Sequence, residues 1–294
     1  MASARLKLIE HHTSLSALVA GKPGAVAFFF HLFLFGNYIK VAGTDLISII
    51  TPSYNSALFI EETYNSICNQ TYENWEWIVT DDCSSDKTWE ILKQISSSNP
   101  KVKIYQNKEN SGAAVSRNNS ISHATGDYLA FIDSDDKWEP CKLQDQLHFM
   151  KTNDFKFCFT AYKIITESGD FLNKNIDVRD DAVLVDYKDL LAKKVTLGCS
   201  TVMLKANAFE NIRMPLIRTG QDYALWLLLL RKYKINAVLY PRVLTSYRIV
   251  AGSISRNKLK KAIRQWSIYR KIEKINLIMS MWYFINYAWR AISR

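Results

Sequence analysis

Between Leu46 and Ile132 short apolar runs alternate with stretches of helical period, and that rhythm decides what the chain can fold into. Leu46–Thr51 (LISIIT, closed by Pro52), Trp75–Thr80 (WEWIVT), Val102–Gln106 and Tyr128–Ile132 (YLAFI) are too short for helices. They are apolar at successive positions, as strands covered on both faces must be. Ala57–Asn69, Asp86–Ser97 and Ala113–His123 space their apolar residues at helical intervals. Four strands joined by three helices predict right-handed βαβ units, a parallel sheet and an α/β class with helices on both faces.

After Pro140 the rhythm becomes mixed. Lys142–Met150 reads as a helix and Phe155–Thr166 as a strand, with Glu167-Ser168-Gly169-Asp170 as a hairpin turn. Asp186–Lys193 reads as a helix, Ser200–Leu204 as a strand and Asp222–Lys232 as an apolar helix. No repeat or low-complexity linker separates the parts, so one continuous two-part domain is expected: residues 44–140, then 141–255, followed by a tail at 256–294. Residues 1–43 form an unlike extension. Its apolar run Ala25–Phe35 is shorter than the ~20 residues that span a bilayer, and it reads as a surface anchor, a secretion signal or an incidental addition.

Composition enters through charge. The chain of 294 residues has 38 basic and 28 acidic side chains, net +10. From Arg256 onward there are ten basic residues against Glu273 alone, so the body is nearly neutral. A hydrophobic content of 48% excludes a mainly disordered chain. Five cysteines without a CxxC pair encode neither a disulfide framework nor a zinc site by spacing, and imply a reduced, cytoplasmic setting.

In an open parallel sheet, ligands bind beyond the carboxyl ends of the strands. Three ends here are polar: Thr51–Asn55, Thr80–Asp86 and Asp133–Asp136. Helix capping accounts for Ser85 or Asp86 but not for Asp81 beside Asp82. Asp133, Asp135 and Asp136 repel one another in a solvated turn unless a positive charge is present, and a hard divalent cation with oxygen ligands answers that need. Neither a P-loop nor a dinucleotide fingerprint occurs, so any phosphate would be held by metal and side chains.

The segments SIITPSYNS (Ser48–Ser56), WEWIVTDDCSSDKT (Trp75–Thr88), NSGAAVSRNNSI (Asn110–Ile121), ATGDYLAFIDSDDKW (Ala124–Trp138) and RTGQDYALWL (Arg218–Leu227), in that order, resemble the family 2 inverting nucleotide-sugar glycosyltransferases of GT-A fold. The likeness covers about Leu46–Arg270 and is strongest to bacterial enzymes that build surface polysaccharides. It implies a nucleotide-sugar donor, with uridine favoured, and a lipid-linked glycan acceptor. It places Pro52, Tyr54 and Asn55 around the nucleoside, Asp82 on the uracil imide with Asp81 supporting the turn, Arg117 along the donor pocket, and Asp133 near the ribose. Asp135 would hold Mn2+ or Mg2+, and Asp222 would be the general base. Arg248, then Lys258, would contact the diphosphate. The resemblance departs at Cys83, where the family usually has glycine, and at Gln221, where it often has an acid. Position alone also allows Asp222 to be a helix-start carboxylate.

The tail has amphipathic periodicity in Leu259, Ile263, Trp266, Tyr269 and Ile272. It continues in an apolar stripe of Leu277, Met281, Ile285, Ala288 and Ile292 beside a stripe of Asn276, Ser280, Tyr283 and Tyr287. With Trp282 and Trp289 and the flanking basic residues, it reads as amphipathic helices lying on an anionic membrane surface, peripheral on the inner face of the cell membrane. The alternative is a pair of helices packed on the protein with a solvated basic face. Two other functions compete: phosphoryl chemistry at the acidic pocket, as in a receiver-type module, and nucleic-acid binding through the tail. The acidic rim disfavours nucleic acid as a partner.

Overall fold

A computed structural model describes residues 43–250 and 258–293. The apolar run Ala25–Phe35 and the basic residue Arg256 lie outside them.

The first half follows the expected alternation: β1 (Ile47–Ser53), α1 (Ile60–Cys68), β2 (Trp75–Asp81), α2 (Thr88–Ser98), β3 (Val102–Gln106), α3 (Ala113–Ser122) and β4 (Tyr128–Phe131). β1 pairs in parallel with β2 and β4, and β2 pairs in parallel with β3. The second half adds β5 (Lys137–Trp138), α4 (Lys142–Thr152), β6 (Phe157–Ile165), β7 (Phe171–Ile176), β8 (Val183–Val185), α5 (Tyr187–Leu191), β9 (Val202–Lys205), α6 (Gln221–Tyr233) and β10 (Ala237–Arg248). One ten-stranded sheet joins the halves in the order β3-β2-β1-β4-β9-β6-β10-β5, with β7 on β6 and β8 on β10.

Alternate residues of the strands feed two cores. Ile50, Ile78, Leu129, Phe131, Phe157 and Phe159 face α3, α5 and α6. Ile49, Trp77, Val79, Ala130 and Cys158 face α1, α2 and α4. Helices on both faces therefore explain why the central strands read as unbroken apolar runs.

Two expectations need correction. Pro52 does not end β1, which continues to Ser53. The Ile50 carbonyl accepts a bond from the Ile132 amide, so Pro52, two residues on, turns its missing N–H toward the side where β4 has already stopped. β10, twelve residues long, has no counterpart in the sequence reading, because Pro241 interrupts its pattern and two register shifts against β6 break the alternation. The expected hairpin turn does connect β6 to antiparallel β7, with Gly169 at φ 95°.

Beyond Lys258, α7 (Lys258–Ser267), a π-helical turn (Ile268–Ile272) and α8 (Leu277–Ser293) pack on the α6 face of the sheet. The π turn shifts the helical register, so the apolar stripe expected from Leu259 to Ile272 splits. Leu259 and Ile263 point outward, while Tyr269 is buried and Trp266 stacks edge-on with Phe284. On α8 the inner side is the polar stripe: Ser280 has no exposed surface and Tyr283 only 4%. The apolar stripe faces outward, with Leu277 55% and Ile285 65% exposed, and Ile278 and Trp289 add to that face. Glu273, the tail's one acid, is spent as a fastener, accepting bonds from Tyr187 Oη (2.8 Å) and Arg231 Nε (2.9 Å). No helix among the described residues is long and apolar enough to cross a membrane.

Candidate active site

The strand order reverses between β1 and β4, and the polar ends of β1, β2 and β4 meet on one rim there. The β1 exit is braced to its neighbours. Ser56 Oγ donates to Ser134 Oγ (2.9 Å), tying it to the acidic segment. Asn55, in the left-handed region at φ 48°, donates its amide to Ser84 Oγ (2.9 Å), and its Oδ1 accepts from the Ser85 amide (2.9 Å). Asn55 and Pro52 are thus parts of the rim's frame, whereas Tyr54 turns its ring outward, 49% exposed.

Asp81 and Asp82 lie side by side because each holds a different loop. Asp81 accepts from the Ser84 amide (3.0 Å) and Gln106 Nε2 (3.0 Å), which fixes the turn after β2. Asp82 accepts from Asn107 Nδ2 (2.7 Å) and the amides of Ser111 (2.9 Å) and Gly112 (2.7 Å), which fixes the loop into α3. A carboxylate has about four acceptor positions, so Asp82 keeps capacity on Oδ2 beyond these three bonds. Asp86 lies one residue before the N-cap Lys87, accepting from the Thr88 amide at the start of α2 (2.9 Å) and from the Ala57 amide (3.1 Å), so it braces the helix entry without being its cap. Cys83 stands at φ 61°, a left-handed backbone that suits glycine, so the turn keeps that shape despite the side chain.

The segment Asp133–Asp136 divides into three roles. Asp133 pairs with Arg117 Nη2. Asp136 is fully buried and accepts from Ser200 Oγ (2.5 Å) and the Arg248 amide (2.9 Å). Burial first, and then the charges of Asp135 and Asp133, push the Asp136 carboxyl well above the usual carboxylate range. Asp135 has no ion pair and no hydrogen bond to another residue's side chain among the described residues, its carboxyl meeting only its own amide, and burial together with Asp133 pushes it up to about 6. The protein itself therefore supplies part of the positive charge that the sequence argument assigned to a metal. What remains is Asp135 beside a half-exposed Asp133. The described residues hold no cage of three or more metal-ligating side chains. One or two carboxylates completed by substrate phosphates is, however, the usual setting for Mg2+ or Mn2+, and the Asp133/Asp135 pair fits it.

Arg117 is almost wholly buried, yet its Nε and Nη1 have no hydrogen-bond partner among the described residues. Burial works against its charge, but Asp133 and Asp222 outweigh it and hold the guanidinium charged, above its usual range. Arg248 is the opposite case and corrects the expectation of a diphosphate contact. Its side chain has no exposed surface, and its fork is spent on the Asp135 carbonyl (2.8 Å), the Glu167 carbonyl (2.5 Å) and Glu62 Oε2 (2.8 Å), above the Phe59 ring. It clamps the acidic turn from behind. Lys258 opens α7, and its side chain lies outside the described residues.

Asp222 is brought to this rim by Trp226, one helical turn along α6. The Trp226 ring packs edge-on against Phe131 and Phe157, each at 5.3 Å, and Phe131 lies two residues before Asp133. Residues four apart share a helix face, so docking Trp226 on β4 directs Asp222 toward the acidic segment. Gly220, left-handed at φ 76°, supplies the sharp entry. Asp222 is partly exposed and has no hydrogen bond or ion pair among the described residues, so both oxygens are open to a ligand.

Residues 48–209 match the model of glycosyl transferase family 2. The chain belongs to that family. It is 42% identical to Bacillus subtilis TuaG, named for teichuronic acid biosynthesis, over 85% of this chain and 97% of that protein. It is 35% identical to Escherichia coli WfgD, a UDP-Glc:α-D-GlcNAc-diphosphoundecaprenol β-1,3-glucosyltransferase, over 82% and 92%. Among solved structures it is similar to Staphylococcus aureus TarS bound to UDP-GlcNAc, with TM-score 0.63, 19% identity and coverage of 81% and 70%, a likeness of GT-A fold. The ends of β1, β2 and β4 that form the rim lie within the matched residues.

The sequence reading overlooked Ser200 and Glu62. Ser200 lies in the 3-10 turn Cys199–Thr201, where its Oγ also accepts from the Asp133 amide (3.0 Å) and its carbonyl from Trp138 Nε1 (2.8 Å). No local pattern marks either residue, because their partners are 60 or more positions away.

Proposed function

We propose that the chain is an inverting transferase that moves a sugar from a UDP-sugar to a hydroxyl of a lipid-linked glycan, in the synthesis of a bacterial surface polysaccharide. The observation that carries this reading is the unpartnered Asp222 carboxylate facing a rim with one charged arginine whose nitrogens are not all spent. Inversion needs a base on the side opposite the leaving group, and Asp222 has free oxygens to take the acceptor proton. Arg117 offers buried N–H groups where negative charge grows on the departing phosphate. Tyr54 offers its exposed ring to the nucleobase, with Asp82 behind it for the imide.

A divalent cation on Asp135 would stabilise the leaving diphosphate as a Lewis acid. GT-A glycosyltransferases generally use such a metal, and an archaeal mannosyltransferase of this fold, 17% identical to the chain, was solved with GDP-Man and Mn2+. The acceptor class follows the WfgD name. The outward apolar face of α8 and the basic residues around α7 support work at an anionic membrane surface on the cytoplasmic side. A receiver-type or nucleic-acid-binding role leaves Asp222 without a task.

The test is transfer from a panel of nucleotide sugars to a lipid-diphosphate-linked N-acetylhexosamine, with and without Mn2+. Transfer from a UDP-sugar that chelator abolishes and metal restores supports the reading. Failure to bind UDP or any nucleotide sugar overturns it.

A further inference from the structure

Arg264 stands where two surfaces meet. On one side, a Cβ placed on Gly220 would lie 3.0 Å from Arg264 Cδ and 3.3 Å from its Nε, so the side chain lies against the turn that introduces Asp222. On the other side is α8: burial raises the Tyr287 hydroxyl pKa, and the nearby Arg264 charge pulls it back. The Arg264 Nε is buried without a partner, and the guanidinium makes no hydrogen bond or ion pair among the described residues. A buried donor left unpaired beside the loop that introduces Asp222 is costly to keep unless a ligand completes it, and a planar guanidinium suits an oxyanion.

The surroundings identify that ligand. Outward from Arg264 run Leu259 and Ile263 of α7 and Ile278, Trp282, Ile285 and Trp289 of α8, all more than half exposed. Lys260, Lys271 and Lys274 flank them. An apolar stripe of this width with cations beside it suits the interface of an anionic bilayer. Arg264 lies between the turn that introduces Asp222 and α8, on the side from which a molecule with its tail in that bilayer would reach Asp222. We infer that Arg264 binds the phosphate through which the acceptor sugar is attached to its lipid, and so selects lipid-borne over free or neutral glycosides. The inference rests on the lipid-linked acceptor proposed above and adds the residue and the group it reads. A guanidinium binds two phosphate oxygens in one plane, which fixes the distance from lipid to reacting hydroxyl.

The experiment is co-sedimentation of the full chain with phosphatidylcholine vesicles carrying either polyprenyl phosphate or phosphatidylglycerol at matched surface charge. The wild type is expected to bind the polyprenyl phosphate vesicles roughly fivefold more tightly, the gain from one added charge-assisted contact. Arg264→Gln removes that preference while keeping binding to phosphatidylglycerol, and Arg264→Lys keeps part of it. Ile278→Asp combined with Trp289→Asp weakens binding to both vesicle types and identifies the apolar face. Equal binding of the wild type to both vesicles overturns the inference, as does an Arg264→Gln variant that keeps the preference. Binding to neither, for instance because a second copy covers α8, overturns it too. Because the readout is binding, a chain that keeps the preference but transfers no sugar would overturn only the catalytic reading.

Discussion

Two arginines approach the same acidic turn from opposite sides, and they differ in what they leave unsaid. Arg248 directs its fork to two backbone carbonyls and Glu62, with its amide on Asp136. Arg117 reaches Asp133 with one nitrogen and leaves Nε and Nη1 buried and unpartnered. Burial alone does not distinguish them, since both are nearly inaccessible. Bond accounting does: a buried donor with no partner is expensive to keep, roughly 1–3 kcal/mol, and is retained where a ligand completes it. The acidic turn thus has a structural back, made by Asp136, Ser200 and Arg248; on the function proposed above, Asp133, Asp135 and Arg117 form its working front.

That division can be broken by substitution. Arg117→Gln should lower transfer by about 10²–10³-fold, the usual effect of losing a preorganised donor to developing charge, while the urea midpoint moves little. Steady-state kinetics beside urea melts check it, and a folded variant at near-normal rate would put Arg117 in the frame with Arg248. Arg248→Met should do the reverse, costing about 1–3 kcal/mol because the Asp135 and Glu167 carbonyls lose their donor, while Glu62 keeps Lys137 (3.0 Å). Urea unfolding reads this directly, and an unchanged midpoint would make Arg248 dispensable to the turn.

A third buried cation sharpens the contrast. Lys142 on α4 has no exposed surface and no hydrogen-bond partner among the described residues, and its Nζ lies 3.8 Å above the Trp138 ring. Burial pushes its amine down to about 7. The folded value lies below the unfolded one, so the unfolded chain binds the extra proton between about pH 7 and 10. Stability should therefore rise with pH through that window, by up to about 1.4 kcal/mol per unit, and fall back as pH drops toward 7. Lys142→Met should remove the rise, as urea midpoints at pH 7 and 9 would show; an identical slope in both proteins would assign it elsewhere. Ser200→Ala should have the smallest effect. It strips one bond from Asp136 and one from the Asp133 amide, costing about 1–3 kcal/mol, with activity falling only as the turn loosens. Loss of activity without loss of stability would place Ser200 at the front.

How much of this was legible beforehand follows from the same distinction. The βαβ half could be read because each strand is covered on both faces, and its pattern is local. β10 could not, because Pro241 and its bulges disturb the alternation while pairing with β6 sustains the strand from outside. In the tail, periodicity revealed amphipathic helices but not their orientation. The polar stripe of α8 faces inward, where Ser280 donates to the Ile275 carbonyl and Tyr283 packs near Tyr269 of the π turn, while its apolar stripe is left for the outside. At the rim, motif resemblance placed Asp133, Asp135 and Asp222 together, but gave Arg117 and Arg248 the same standing. Only the partners supplied by Glu62, Asp135 and Glu167 separate them, and those come from distant parts of the chain.

The central claim is that the front of this rim is assembled for Asp222 to take the acceptor proton. Asp222→Asn keeps size and shape while removing the basic oxygen. Isothermal titration of UDP with Mn2+, run beside an assay of sugar transfer, should show unchanged donor affinity and a loss of transfer of about 10²–10⁴-fold. Transfer by Asp222→Asn at near wild-type rate would contradict the account.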